Sequence, residues 1–106
     1  MSTEKKIQDD IKDFLKGFAR DTKFDVEVFK THGNLYGGGL PDLLVFISPG
    51  DCPGVTVLFE VKRPGKKATP RQQAVIDRLK DLHILVAVVH SVREVQEFLA
   101  HMRIDT

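Results

Sequence analysis

The sequence predicts an α/β protein in which a mixed β-sheet carries helices on both faces. Apolar residues recur at helical spacing in the first part of the chain, which is typical of an amphipathic helix. Four short runs of β-branched, aromatic and aliphatic residues follow, and this composition favours strands. A second helical segment separates the last two runs, and a strand–helix–strand unit usually pairs its strands in parallel. We therefore predict the element order α-β-β-β-α-β-α.

The first predicted helix spans about residues 3–20. Glu4 lies in its first turn, where a negative charge stabilises the helix dipole. Apolar side chains three and four positions apart form one face of this helix: Ile7, Ile11, Phe14, Leu15 and Phe18. A short strand is expected next, at about residues 26–30.

A glycine-rich loop and a hairpin follow. Residues 31–41 contain consecutive glycines and a proline, which interrupt regular structure. The glycines do not follow the spacing of a nucleotide-binding loop. Strands are expected at about 42–48 and 55–62, and the segment between them is rich in proline and glycine. This short connection predicts that the two strands pair in antiparallel fashion.

Two further helices are predicted to begin at capping-box motifs. Thr69–Gln72 has the N-cap hydroxyl and the third-position glutamine of such a box, with Pro70 at the first helical position. Ser91–Glu94 repeats the spacing. We expect these helices to end near Leu82 and Met102.

The run Ile84–Val89 lies between these two helices and is entirely aliphatic. Such a run predicts a central strand that is buried on both faces. Residues 55–89 then form a strand–helix–strand unit, for which a right-handed crossover is expected. The sheet should therefore contain both antiparallel and parallel pairs.

Length and composition indicate a globular protein. The 106 residues are expected to form a single domain, 1–106, because they suffice for only one modest core. No apolar stretch approaches the roughly 20 residues of a membrane helix, so a membrane protein is not expected. The lone cysteine, Cys52, excludes an internal disulfide and fits a reducing cytoplasm. The net charge of +1 does not by itself indicate nucleic-acid binding.

Glu60 is the strongest candidate for chemistry because it interrupts an otherwise apolar strand. Burying an ionised carboxylate costs several kcal/mol unless cations or hydrogen-bond donors compensate it. Lys62 follows two positions later and should lie on the same face of the strand. Asp42 begins the neighbouring strand, so the three side chains can converge. Two carboxylates and an ammonium suit a hard divalent metal ion and phosphodiester chemistry.

The motifs Gly39-Leu40-Pro41-Asp42, Glu60-Val61-Lys62 and Thr69-Pro70-x-Gln72 resemble those of the PD-(D/E)xK nuclease superfamily. More narrowly, the chain resembles the VRR-NUC branch in its short stand-alone viral or bacterial form. The resemblance implies a restriction-endonuclease-like core and a metal-dependent DNA endonuclease. It also implies a homodimer that cleaves branched DNA, such as the four-way Holliday junction.

The resemblance implies a role for each residue of the motif. Asp42 and Glu60 would hold Mg²⁺ or Mn²⁺, with the backbone carbonyl of Val61 as a further ligand. Lys62 would orient or help to deprotonate the attacking water and would offset charge on the phosphate.

The resemblance also implies roles for two helical residues, but ordinary helix stabilisation explains the presence of each residue equally well. Gln72 would position Lys62 or the phosphate, but the capping box alone accounts for a glutamine there. Glu4 would complete the metal site, but a first-turn carboxylate also suits the helix dipole. Glu27 is the weaker acidic candidate.

Two basic segments are candidate DNA contacts. Lys62, Arg63, Lys66, Lys67 and Arg71 fall within ten residues, with no acidic residue from Val61 to Ile76. A solvated loop would explain this pattern, but its position beside the carboxylates favours phosphate contacts. The glycine-rich loop is expected to be a mobile flap whose polar residues can touch the sugar-phosphate backbone: Lys30, His32, Asn34 and Tyr36. The four histidines lack metal-ligand spacing.

Two other classes of function remain open from the residues alone. A non-catalytic nucleic-acid-binding module could retain the fold, although it would be free to lose a costly buried Glu60. A protein-interaction domain would have no affinity for DNA.

Overall fold

The computed structural model describes residues 3–31, 38–51 and 53–103. Its elements follow the predicted order, and each boundary lies within one residue of its expected position. The elements are α1 (Glu4–Asp21), β1 (Asp25–Lys30), β2 (Leu43–Ser48), β3 (Val55–Val61), α2 (Pro70–Asp81), β4 (Leu85–Val89) and α3 (Val92–His101). Among the described residues, no helix is long and apolar enough to cross a membrane.

The four strands form one mixed sheet in the order β1-β2-β3-β4. β1 pairs with β2, and β2 with β3, in antiparallel fashion, with Leu43 opposite Phe59 in the second pair. β3 and β4 are parallel, with Val57 beside Leu85. The predicted antiparallel hairpin and the parallel pair formed across α2 are both confirmed.

β4 is an edge strand of the described sheet, so the prediction of a central strand at Ile84–Val89 was wrong. The strand packs against α2 on one side and α3 on the other. Its aliphatic composition therefore reflects helices that cover both of its faces. A run of apolar residues indicates buried faces, but it does not indicate whether both edges of the strand are paired.

Helices cover both faces of the sheet, as the fold class requires. α1 and α3 cover one face, where Ile11 and Leu15 pack with Val57 and Phe59. The ring of Phe59 also meets that of Phe98 from α3 edge-on, at 5.4 Å between centroids. α2 covers the other face over β3 and β4 through a smaller cluster: Leu58, Ile76 and Val86.

Side-chain caps fix where the helices begin. The Thr69 hydroxyl accepts from the Gln72 N–H, and the Gln72 Oε1 accepts from the Thr69 N–H at 2.9 Å, so the predicted box is complete. At α3 the Ser91 hydroxyl accepts from the Glu94 N–H at 3.2 Å. The Glu94 carboxylate, however, accepts from the N–H of His90, one residue before the N-cap. The second box is therefore modified.

Candidate active site

Asp42 and Glu60 lie opposite one another where β2 begins and β3 ends. Leu43 is paired with Phe59, and continuing this antiparallel register by one pair brings Asp42 opposite Glu60. Glu60 lies two residues after Leu58, which packs on the α2 side, so its side chain belongs to that face. The two carboxylates therefore lie together at the end of the sheet where β2 begins and β3 ends.

Hydrogen bonds from both neighbouring strands fix Asp42. The backbone N–H of Val61 donates to Asp42 Oδ2 at 2.8 Å. On the other side, the Thr31 N–H donates to the Asp42 carbonyl at 2.8 Å, and the Thr31 hydroxyl donates to the carbonyl of Pro41. The carboxylate is therefore held in place before any ligand arrives. Thr31 was missed from the sequence because its role depends on strand pairing and not on a motif.

Glu60 is the most deeply buried charged side chain of the described residues, with 1% of its surface exposed. Its Oε2 lies 3.9 Å from the Nζ of Lys62, which is a long ion pair. Its Oε1 is buried and has no hydrogen-bond partner among the described residues. An unpartnered buried carboxylate oxygen is costly, and it marks a position where a cation or a donor is expected to bind.

The surroundings of Glu60 raise the pKa of its carboxyl from 4.5 to about 8. Burial is the largest cause, followed by the hydrogen bond and the charge of the neighbouring Asp42. Glu4 adds a smaller effect in the same direction, while the ammonium of Lys62 lowers the pKa. Near neutral pH the metal-free pair therefore holds a proton, which a bound cation would displace.

Glu4 approaches the site from α1, since its charge contributes to the raised pKa of Glu60. Among the described residues, however, no three or more acidic, histidine or cysteine side chains are assembled closely enough to hold a metal ion. The assembled carboxylate pair is Asp42 and Glu60. Glu4 is near enough for its charge to affect the pKa of Glu60.

Gln8 lies one turn after Glu4 on α1 and is another residue that the sequence analysis missed. Its side chain is buried, and its Oε1 has no hydrogen-bond partner among the described residues. A polar residue beside the apolar positions Ile7 and Ile11 was the available signal. Gln8 thus adds a buried polar group to α1, one turn after Glu4.

Gln72 has the structural role that a capping box predicts. Its Oε1 is occupied by the N–H of Thr69. Its amide nitrogen can donate to a phosphate, whereas a contact with the ammonium of Lys62 would need the second lone pair of Oε1. A role for Gln72 in the reaction stays a prediction.

The basic residues after β3 lie at the same end of the sheet as the carboxylates. Arg63, Lys66, Lys67 and Arg71 are exposed, and Arg71 has a partner of its own. Lys62 differs from them, because its side chain is only 11% exposed and extends toward Glu60. Lys30 ends β1 at this same end of the sheet and is exposed.

Within the glycine-rich loop, the structure describes Thr31 and residues 38–41. Gly39 and Pro41 are buried there, and a Cβ at Gly39 would overlap the side chain of Val75 on α2. This part of the loop is therefore packed against α2 immediately before Asp42. The predicted DNA contacts of His32, Asn34 and Tyr36 lie outside the described residues.

The chain matches the sequence model of the VRR-NUC domain family over residues 28–93. This range contains Asp42, Glu60, Lys62 and Gln72. The chain belongs to the VRR-NUC domain family. A solved structure described as a VRR_NUC domain superposes with a TM-score of 0.74 and 25% sequence identity, covering 94% of this chain and 98% of its own. No curated protein matches the chain.

Membership of the VRR-NUC family identifies the chain as a domain of a nuclease family. The matched range begins after α1, so it does not include Glu4 or Gln8. These two residues are therefore identified from the structure, in which the charge of Glu4 affects Glu60 and Gln8 is buried one turn later on α1.

The raised pKa of Glu60 predicts that metal-free protein loses stability as pH rises. The unfolded carboxyl titrates near 4.5 and the folded one near 8, so folding takes up a proton between these values. Glu60→Gln should remove this dependence. One pKa unit corresponds to about 1.4 kcal/mol. The Tm advantage of the variant in EDTA should therefore grow by at least about 4 °C between pH 5 and pH 8.5.

Glu27→Gln is the matched control, because Glu27 is an exposed carboxylate on β1. Its melting curve should follow wild type at every pH. Parallel pH profiles for wild type and Glu60→Gln would contradict the raised pKa.

Proposed function

We propose that this VRR-NUC domain is a metal-dependent DNA endonuclease that hydrolyses phosphodiester bonds. The observation that carries the proposal is the opposed pair of Asp42 and Glu60, with an unpartnered buried oxygen on Glu60. A structural carboxylate would be compensated by donors, whereas this pair leaves an acceptor available for a cation.

The donor set suits Mg²⁺ or Mn²⁺. Magnesium prefers oxygen ligands and usually takes one or two protein carboxylates together with waters and substrate phosphate. Asp42 and Glu60 would supply those carboxylates, with the Val61 carbonyl as a further oxygen ligand and Glu4 acting directly or through water. When bound there, the cation would lower the pKa of a coordinated water and offset charge on the phosphate.

The remaining residues have roles that do not require a metal ligand. Lys62 lies beside Glu60 and is largely buried, so its ammonium is held where negative charge develops on a phosphate. It can also orient the water that attacks the phosphorus. The amide nitrogen of Gln72 can donate to the phosphate while its Oε1 maintains the cap.

The basic segment can bind the DNA backbone next to the carboxylates. Arg63, Lys66 and Lys67 are exposed beside the end of β3 and can contact phosphates without reading bases. Arg71 lies on the first turn of α2, close in sequence to this segment. Lys30 can contribute from the other side of the site.

The alternative is a non-catalytic nucleic-acid-binding module that retains the nuclease fold. The burial of Glu60 argues against it. Binding to phosphates requires positively charged side chains and gains nothing from a buried pair of carboxylates. The alternative predicts DNA affinity without cleavage in any metal.

We also propose that the domain acts as a homodimer that prefers branched DNA, particularly four-way junctions. One active site cuts one strand, and a two-fold dimer would present two sites to a symmetric junction. An aromatic pair supports a self-contact. Phe29 and Phe46 are 50% and 42% exposed and meet edge-on, at 5.9 Å between centroids, on a part of the sheet that α2 does not cover.

Asp42→Asn and Glu60→Gln should each reduce cleavage by about a thousandfold or more, because they remove ligand charge while keeping side-chain shape. The assay is cleavage of labelled duplex, flap and four-way-junction DNA in magnesium, manganese or EDTA. Circular dichroism should show an intact fold. Asp51→Asn changes an exposed carboxylate in the turn between β2 and β3; it is the control and should cleave like wild type. Full activity of folded Glu60→Gln, or efficient cleavage in EDTA, would refute the proposed site.

Lys66→Ala/Lys67→Ala should weaken binding to all DNA sequences alike. Each lost phosphate contact should flatten the plot of log affinity against log salt by about one unit. Binding is measured in calcium, whose looser coordination should support binding without turnover. Lys23→Ala, an exposed lysine at the opposite end of β1, is the control. An unchanged slope would mean that Lys66 and Lys67 do not contact DNA.

Light scattering should report a dimer that Phe46→Asp dissociates, because a charge would be buried in the proposed contact. Four-way junctions should be cut faster than linear duplex of equal length by the wild type and not by the dissociated variant. A monomer at high concentration that cuts both substrates equally would contradict this part of the proposal and leave the nuclease assignment intact.

A further inference from the structure

His90 connects α3 to the basic segment beside the active site. It follows β4 directly, and its Nδ1 lies 2.9 Å from Glu94 Oε1 on the first turn of α3. Its Nε2 lies 2.9 Å from the backbone carbonyl oxygen of Lys66. The backbone N–H of His90 also donates to Glu94 Oε1, at 3.0 Å. The ring therefore lies between two fixed oxygen atoms.

Both partners of the His90 ring are acceptors. A carboxylate oxygen and a backbone carbonyl accept hydrogen bonds, and neither can donate one near neutral pH. A neutral imidazole carries one N–H and can satisfy only one of them. The observed geometry is therefore satisfied by the imidazolium form, which donates from both nitrogens.

The Lys66 carbonyl belongs to the basic loop, defined here as residues 63–67. The loop turns on a hydrogen bond from the Lys66 N–H to the Arg63 carbonyl, and Gly65 has a positive φ of 85°. Among the described residues, the bond from His90 to Lys66 is the hydrogen bond that joins this loop to the rest of the fold. A cavity of about 400 Å³ between them is lined by Pro64, Gly65, Lys66, Lys67, His90 and Glu94.

We propose that His90 is a positioning residue whose imidazolium holds the basic loop against α3, so that Lys66 and Lys67 are presented to the DNA backbone and DNA binding weakens when His90 loses its proton. The inference depends on the proposed function for its DNA partner. It assigns to His90 a role in substrate binding and none in the bond-breaking step.

The charges around His90 agree with this inference. The Glu94 carboxylate is the largest cause that raises the pKa of His90 above 6.5, the Lys66 carbonyl adds to it, and partial burial opposes both. Lys66 and Lys67 face the ring across the cavity, while Glu97 and His101 line a neighbouring cavity with Glu94. Because the folded pKa is raised, the two-bond contact is present below it and is lost as pH rises through it.

The first experiment measures the ring itself. NMR of the wild type should show a His90 pKa above 6.5, with both ring nitrogens protonated below that pKa. Glu94→Gln should move the His90 pKa down to its ordinary value, because the amide keeps an acceptor and loses the charge. A neutral His90 in the wild type at pH 6.5 would overturn the inference without any reference to DNA.

The second experiment measures DNA affinity in calcium against pH. His90→Gln should weaken binding of duplex and junction DNA roughly three- to tenfold below the His90 pKa and converge with wild type above it. Its single-turnover cleavage rate in magnesium at saturating DNA should be unchanged. His101→Gln, an exposed histidine on α3, is the matched control and should follow wild type throughout.

The Glu94→Gln variant distinguishes an effect of loop positioning on DNA affinity from a simple effect of net charge. Removing a negative charge near DNA should tighten binding if only net electrostatics matter. At a pH between the His90 pKa values of the variant and the wild type, the proposed role of His90 gives the opposite sign, because the neutral ring can donate to only one of its two acceptors. Tighter binding of Glu94→Gln at that pH would refute the proposal. Absence of DNA binding by the wild type would refute the proposed function, whereas the NMR titration would still test the contact from His90 to Lys66.

Discussion

The opposition of Asp42 and Glu60 is the constraint on which the rest of the structure depends. Two carboxylates at one place repel one another, and burial makes the charged form of Glu60 still less favourable. The surrounding fold compensates only in part, through the Val61 N–H on Asp42 and the long ion pair from Lys62. A site that leaves one oxygen unpartnered is destabilised without a ligand. Packing of the hydrophobic core must therefore offset the loss of stability at this site.

The helices cover the two faces of the sheet unequally, and this arrangement explains how the fold tolerates such a site. α1 and α3 cover one face with a continuous cluster that includes the fully buried Ile11, Leu15 and Phe59. On the other face, α2 packs mainly against β4, and Leu58 of β3 belongs to the same cluster. The carboxylates therefore lie at the end of the sheet on its less covered side, where a duplex can approach. Gly39 contributes here, because the absence of a side chain lets the segment before Asp42 pack closely on α2.

Much of this arrangement was predictable, because it depends on local patterns. The element order and the Thr69–Gln72 cap follow from periodicity and capping rules, and the buried Glu60 stands out against an apolar strand. What could not be predicted depends on partners distant in sequence. Thr31 acts through strand pairing, and His90 acts through Glu94 and a backbone carbonyl. The run Ile84–Val89 was assigned to the sheet interior because composition reports covered faces and contains no information about edges.

Glu60 and His90, whose pKa values are both raised, give the proposed reaction opposite pH dependences. A cation can bind Asp42 and Glu60 fully only when the proton held by the raised pKa of Glu60 has left, which favours higher pH. Donation from the His90 ring to both Glu94 and the Lys66 carbonyl requires the protonated ring and is therefore favoured at lower pH. The two groups belong to separate elements, since Glu60 is the residue before the last of β3 and His90 follows β4. Val61 and Val89, the last residues of these two strands, are paired. The proposed metal site and the proposed positioning of the basic loop therefore rely on different side chains of neighbouring strands. The two proposals together predict that a substitution at His90 alters DNA affinity and leaves the carboxylate chemistry unchanged.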